Sequence, residues 1–72
     1  MLIISQDGEK IYNLNNVKEI EIDMSSNWGK VSINADRKFL GMYNNLGRAK
    51  EVISEIAIRY SKGIRIYRLP LK

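Results

Sequence analysis

The chain has 72 residues, of which 44% are apolar and 28% are charged, and its formal net charge is +4. This size and balance are those of one folded domain and exclude a disordered chain. The absence of cysteine and histidine excludes disulfides, thiolate metal sites and imidazole catalysis. No apolar run approaches the roughly 20 residues that cross a bilayer, and the N-terminus lacks a signal-peptide pattern, so we expect a cytoplasmic protein.

The first half of the chain predicts short β-strands. Asp7-Gly8, a dipeptide typical of tight hairpins, separates the apolar runs "MLII" and "IYNL". The segments "VKEIEIDM" and "KVSINA" alternate apolar and polar residues, which is the period of half-buried strands. In the fifth run, "FLGMY", Gly41 indicates a bulge or a close approach of two backbones.

The second half predicts one helix and a last strand. Asn44 and Asn45 are good N-cap residues, and the apolar positions that follow recur every three or four residues, as on one face of a helix. Gly63 is suited to the left-handed position after a helix end. We therefore expect a helix over about residues 46–62 and a short strand, "IRIYRL", before Pro70.

These elements predict an α+β fold in a single domain, residues 1–72. A small antiparallel β-meander of about five strands packs on one C-terminal helix, which is followed by a short final strand. In that strand, alternation predicts that Ile64 and Ile66 face the core and that Arg65 and Tyr67 face outward. The predicted core contains Ile4, Tyr12, Leu14, Ile20, Ile22, Val31, Ile33, Phe39, Leu46, Val52, Ile53, Ile56 and Tyr60.

The order of several short motifs also carries a resemblance. Its parts are the opening "ISQDG" with "NL" and "NV", the strand end "LGMY", the helix "RAKEVISEI" and the terminus "YRLP". Together they resemble a group of short proteins from Firmicute bacteria, their phages and mobile elements. The resemblance spans nearly the whole chain and implies the same fold and a phage or mobile-element context. The chain departs from the group in the basic residues after the helix, where the similar proteins look more acidic.

No motif for catalysis or nucleotide binding is present. Without histidine and cysteine a nucleophile would need serine–lysine or carboxylate chemistry, and the serines lie outside any such motif. The glycines form neither a P-loop nor a dinucleotide fingerprint. We therefore predict that the protein is not an enzyme and uses no cofactor.

Acidic residues alternate along the third predicted strand. Glu19, Glu21 and Asp23 share one face, which could hold a divalent cation. The simpler interpretation is a solvated strand face, so no metal is predicted. A third possibility is an acidic patch for a basic partner.

The charge is distributed unevenly along the chain, since residues 1–36 carry −3 and residues 37–72 carry +7. Three interpretations of the basic segment Arg59–Lys72 stay open. Its cations could contact phosphates while Tyr67 stacks on bases, although the order of elements fits no standard nucleic-acid-binding module. Residues 64–69 could instead be only a charged edge strand. Finally, this edge could bind an acidic protein, including the acidic half of a second copy in a homodimer.

Two apolar residues have ambiguous positions. Trp28, in the loop "SSNWG", could anchor a partner or cap one end of the core. Ile58 falls on the polar face of the helix, where it is either a single exposed residue or part of an interface. The candidate partner-binding residues are Arg59, Lys62, Arg65, Tyr67, Arg68, Lys72 and Trp28.

The sequence therefore favours a non-enzymatic binding protein that docks on another protein. The resemblance implies a phage- or mobile-element-encoded protein that acts on a host protein or complex. Inhibition of a nucleic-acid-handling defence machine, as by an anti-CRISPR protein, is one form of this function. The alternative is a nucleic-acid-binding accessory protein that uses the basic C-terminal half. No membrane partner is predicted.

Overall fold

The computed structural model describes residues 1–25 and 29–72. The strands of this part are β1 (Leu2–Ile4), β2 (Ile11–Asn13), β3 (Ile20–Asp23), β4 (Val31–Ala35), β5 (Lys38–Tyr43) and β6 (Ile66–Arg68). The helix α1 spans Leu46–Ser61, and a short 3-10 helix spans Leu14–Asn16. The predicted α+β class, with one helix between five strands and a final strand, is confirmed.

The strands form two three-stranded sheets in place of one continuous meander. Sheet 1 has the order β2-β1-β6, and sheet 2 has the order β3-β4-β5. All neighbours are antiparallel except β1 and β6, which are parallel. A parallel pair needs a long crossover connection, and here the rest of the chain, including α1, forms that connection.

The predicted signals for the start and the end of the helix, Asn45 and Gly63, are both confirmed. The Asn45 side chain accepts a hydrogen bond from the Arg48 N–H at 2.8 Å at the start of α1. At the other end Gly63 has a φ of 75°, and the Ile64 N–H donates to the Arg59 carbonyl at 3.1 Å. This pattern is a Schellman motif, which turns the chain from the helix towards β6.

The core lies between α1 and sheet 2 and continues under sheet 1. On the helix, Ala49, Val52 and Ile56 are buried, and α1 contacts all three strands of sheet 2. The buried apolar residues are Ile3, Val31, Ile33, Ala35, Leu40, Tyr43, Ala49, Val52, Ile56, Tyr67 and Leu69.

Two residues predicted to be buried, Phe39 and Tyr60, expose 42% and 52% of their surface. The pairing of β4 with β5 shifts in register beside Leu40, and this bulge turns Leu40 into the core and leaves Phe39 outside. Ile56 is the last buried residue of α1, and Tyr60 lies one turn beyond it. Ile4, also predicted to lie in the core, is half-buried and lies on the face of sheet 1 opposite to the buried Ile3. The remaining predicted core residues are buried or half-buried.

The predicted alternation of the last strand is wrong. Tyr67 and Leu69 are buried, whereas Ile64 and Ile66 expose 40% and 55% of their surface. The cause is the register with β1, which pairs Tyr67 with the buried Ile3. Paired residues share a face of a sheet, so Tyr67 lies on the buried face with Ile3. Successive residues of a strand point to opposite faces, so Ile66 lies on the exposed face.

Gln6 connects the two sheets. Its backbone N–H donates to the Leu40 carbonyl at 2.8 Å, and its side-chain oxygen accepts from the Met42 N–H at 2.8 Å. The side-chain amide donates to the carbonyls of Met42 and Leu71, both at 3.0 Å. One side chain therefore joins the end of β1, the edge of β5 and the C-terminal segment.

Gly41 makes this connection possible. A Cβ atom there would lie 3.1 Å from both the Gln6 Cβ and a Leu69 methyl group, so a larger residue at this position would crowd these side chains. The predicted bulge is confirmed, because the pairing of β4 with β5 shifts in register directly beside Gly41. Beside it, the Tyr43 hydroxyl donates to the Pro70 carbonyl at 2.8 Å. Both contacts fix the chain just after β6.

We predict that Gln6→Ala lowers the free energy of unfolding by about 2 kcal/mol, because it removes several hydrogen bonds and leaves the Met42 N–H without its acceptor. Urea denaturation measures this change. Asn16→Ala, at an exposed position, is the control and should change stability by less than about 0.5 kcal/mol. An equally small effect of Gln6→Ala would contradict the role of this side chain.

The turn between β4 and β5 contains two residues in the left-handed region, Asp36 and Arg37, with φ values of 49° and 70°. The Asp36 carboxylate also accepts hydrogen bonds from the backbone of Lys18 and Glu19. We predict that Arg37→Gly stabilises the protein by about 1 kcal/mol, since glycine adopts this conformation without steric cost. Arg37→Ala is the control for the lost side chain. Equal thermal stability of the two variants would argue against strain at this turn.

Candidate binding surface

Four of the predicted partner-binding residues lie on consecutive parts of the chain. Arg59 is in the last turn of α1, Lys62 caps its end, and Arg65 and Arg68 lie just before and at the end of β6. All four are exposed. These four cations follow the course of β6, and we call them the basic border.

The other predicted residues lie elsewhere. The backbone carbonyl of Lys72 accepts hydrogen bonds from the Arg48 guanidinium at 2.8 and 3.0 Å, which places Lys72 beside the first turn of α1. Trp28 lies outside the described residues. Lys72 therefore does not belong to the surface formed by the basic border.

Tyr67 is not available to a partner, contrary to the prediction. Only 6% of its surface is exposed, and its hydroxyl donates to the Glu55 carboxylate at 3.1 Å. The Arg59 guanidinium lies 5.3 Å from the centre of its ring and 3.4 Å from the Glu55 carboxylate. Tyr67 thus attaches β6 to α1, and Arg59 is partly engaged in the same contact.

The opposite face of sheet 1 is apolar and exposed. Leu2 pairs with Ile66, and Ile4 pairs with Ile11, so these four side chains share one face. Ile11, Ile66 and Leu2 expose 63%, 55% and 38% of their surface. We call these four residues the outer face of sheet 1; Arg68, which is paired with Ile4, lies at its margin.

One feature of the sequence indicates the exposed apolar face of sheet 1, although the alternation of apolar and polar residues does not. The run "MLII" places apolar residues at consecutive positions, and in a strand consecutive residues point to opposite faces. One of the two apolar faces had to lie away from the core unless a further layer covered it. Ile3 is buried, and Leu2 is on the exposed side.

β6 is an edge strand, as predicted, because sheet 1 ends with it. Towards β1, the Leu2 N–H donates to the Arg65 carbonyl at 2.7 Å, and the Leu69 N–H donates to the Ile4 carbonyl at 3.1 Å. Backbone groups of alternate residues point to opposite sides of a strand. The N–H and C=O groups of Ile66 and Arg68 therefore point away from the sheet, and no strand of the described residues pairs with them.

A crevice of about 310 Å³ lies beside this edge. Ile58 and Ile64, which are 51% and 40% exposed, form its apolar part. Glu55, Arg59 and Lys62 provide its polar lining. Ile58 is thus an exposed residue that belongs to a larger apolar and basic surface.

A groove of about 950 Å³ lies between the first turn of α1 and the C-terminal segment. Arg48, one of the cations that line it, is already bonded to the Lys72 carbonyl and lies 3.3 Å from the Glu51 carboxylate. Glu19, Glu21 and Asp23 form no metal-binding group, since the described residues contain no cluster of three or more suitable side chains.

Two serine–aspartate pairs could be mistaken for catalytic pairs. The hydroxyls of Ser5 and Ser25 donate to Asp7 and Asp23, each at 2.6 Å. These hydrogen bonds are the main cause that lowers the pKa of both carboxyl groups. Such carboxylates are weak bases, and their backbone contacts identify them as turn-forming groups.

Comparison with known proteins gives no relative, because no family model, curated protein or solved structure matches the chain. Within residues 1–25 and 29–72, the helix is not long and apolar enough to span a membrane. We therefore infer function from the surface of sheet 1 and its basic border.

The buried position of Tyr67 predicts a change at alkaline pH. Burial, with the hydrogen bond to Glu55, raises the pKa of Tyr67 to about 12, and burial raises that of Tyr43 to about 12. An unfolded tyrosine ionises near pH 10, so this contribution to stability is complete below about pH 10 and is lost as the pH rises towards 12. An absorbance titration at alkaline pH should show two late tyrosines, and Tyr67→Phe should remove one.

Tyr60→Phe is the matched control, because Tyr60 is exposed and its replacement should leave both late tyrosines in place. If Tyr67→Phe left the late absorbance change intact, Tyr67 would be exposed in solution and the assignment of its face would be wrong.

Proposed function

We propose that the protein is a non-enzymatic binding protein that docks on another protein through the outer face of sheet 1 and the basic border. The exposure of Leu2, Ile11 and Ile66 on one face is the observation that supports this proposal most. An antiparallel or mixed sheet with one solvated face usually carries polar residues there. An exposed apolar patch with a charged margin is instead typical of an interaction site.

The charges indicate the chemistry of the partner. Residues 56–72 contain no acidic residue, and the Arg68 guanidinium lies against Gly8 at one end of the outer face. Asp7 and Glu9 are the acidic residues of that same turn. A partner that fits this surface has apolar residues at its centre and acidic residues facing Arg65 and Arg68.

Nucleic acid fits the surface less well. Tyr67, the residue expected to stack on bases, is buried. Ile66, which lies between Arg65 and Arg68 and is 55% exposed, offers a phosphate backbone no hydrogen bonds. A basic margin around an apolar centre supports protein docking.

The identity of the partner is a further part of the proposal. The resemblance to phage and mobile-element proteins favours a host protein or complex as the target. Inhibition of a nucleic-acid-handling defence machine by occupation of one of its surfaces is one form that such docking could take.

We predict that the double substitution Ile11→Ser and Ile66→Ser abolishes docking, because two central apolar contacts of an interface commonly contribute 1 to 2 kcal/mol or more each. Capture from host lysate should give a stoichiometric partner with the original chain and at least about tenfold less with the double variant. Phe39→Ser, which alters an exposed apolar residue of sheet 2, is the matched control and should retain the partner.

Equal capture by the double variant and the original chain would refute docking through this face. In parallel, fluorescence anisotropy with single-stranded and duplex DNA at about 50 mM salt should show no binding. Tight binding that weakens steeply with salt, and that the Ile11→Ser and Ile66→Ser variant retains, would favour the nucleic-acid alternative.

A further inference from the structure

We infer that β6 accepts an extended acidic segment of the partner as a fourth strand of sheet 1. This inference rests on the proposed docking function and adds the way in which the partner is held. Strand addition at a free edge uses backbone hydrogen bonds for attachment and side-chain contacts for selection.

The hydrogen-bonding groups for such a strand are already in place. Since β6 turns Arg65 and Leu69 towards β1, Ile66 and Arg68 present their N–H and C=O groups at the open side. Tyr67, between them, is held by Glu55 on α1 at 3.1 Å. The edge is thus presented by a fixed strand and needs little ordering on binding.

The side chains beside the edge select the sequence of the added strand. Residues opposite Ile66 and Arg68 would lie on the outer face, where apolar and acidic side chains respectively find matching contacts. The alternate residues would face the side of α1, where the crevice combines Ile58 and Ile64 with the cations Arg59 and Lys62. An extended segment of mixed acidic and apolar residues therefore fits on both faces.

A second copy of the chain fits poorly at this edge. Two-fold antiparallel pairing of β6 with β6 would place the Arg68 side chains of both copies on the same face as direct or diagonal neighbours, and like charges in such positions are destabilising. Pairing of β6 with the acidic strand β3 of another copy would leave a free edge at each end, so the contact would not close into a dimer. The positive charge therefore discourages self-association while it admits an acidic strand.

The experiment uses the full chain labelled with ¹⁵N and a synthetic peptide, acetyl-Glu-Glu-Val-Val-Glu-Glu-Val-amide, at millimolar concentration. As a strand, this peptide carries both Glu and Val on each of its two faces. The peptide should shift the backbone amide signals of Ile66 and Arg68 and slow their hydrogen exchange at least about tenfold, because both N–H groups gain acceptors. The amides of Ile11 and Asn13, on the other edge of sheet 1, are internal controls and should change less.

Two control peptides separate the contributions. A fully N-methylated peptide keeps its side chains but has no backbone donors, and we expect it to bind at least about tenfold more weakly. A peptide with Lys in place of Glu should not bind the original chain. The variant Arg65→Glu with Arg68→Glu should reverse this preference and bind the Lys peptide over the Glu peptide.

The results distinguish this inference from the docking function itself. If the amides of Ile66 and Arg68 do not respond to the Glu peptide, or respond equally to the N-methylated one, strand addition is wrong. Docking through the outer face would still stand if the Ile11→Ser and Ile66→Ser variant lost its partner. A dimer mass by light scattering without peptide, abolished by Arg65→Glu, would replace the acidic partner by a second copy.

Discussion

The parallel pairing of β6 with β1 determines which side chains the C-terminal segment exposes. Its register sets Tyr67 against Ile3 on the buried face and Ile66 against Leu2 on the exposed face. A shift by one residue would reverse both faces. It would bury Ile66 and expose Tyr67 among the arginines, which is the surface expected of a nucleic-acid-binding segment. The choice between the two functional interpretations therefore depends on this register.

Contacts at both ends of β6 hold that register. Before the strand, the Schellman motif at Gly63 fixes the direction in which the chain leaves α1. After it, Tyr43 and Gln6 bind the carbonyls of Pro70 and Leu71. Because these contacts already order the strand, the proposed docking would lose little conformational entropy. A cationic arm without such contacts would lose far more on binding.

Local signals in the sequence predicted the elements, and non-local pairing limited what could be predicted of the surface. The Asp7-Gly8 hairpin, the Asn45 cap and Gly63 each act within a few residues, so they were predicted correctly. The face of Tyr67 depends on a partner strand more than 60 residues earlier, and the face of Phe39 depends on a bulge. The positions of Arg59, Lys62, Arg65 and Arg68 at the helix end and along β6 were thus predictable, but the exposed apolar face of sheet 1 beside them was not.

The outer face and the basic border have complementary effects. A chain of 72 residues buries only a modest fraction of its surface, so its free energy of unfolding is small. The exposed isoleucines of the outer face do not contribute to it the stabilisation that their burial would give. They also create a risk of aggregation at an open edge. The arginines along β6 reduce that risk, since like charges repel two copies there. In the proposed complex they also attract an acidic partner from a distance. Under the proposed docking function, the apolar residues supply most of the affinity and the charges most of the selectivity. This division explains why the basic residues follow the free edge instead of forming a separate cationic tail.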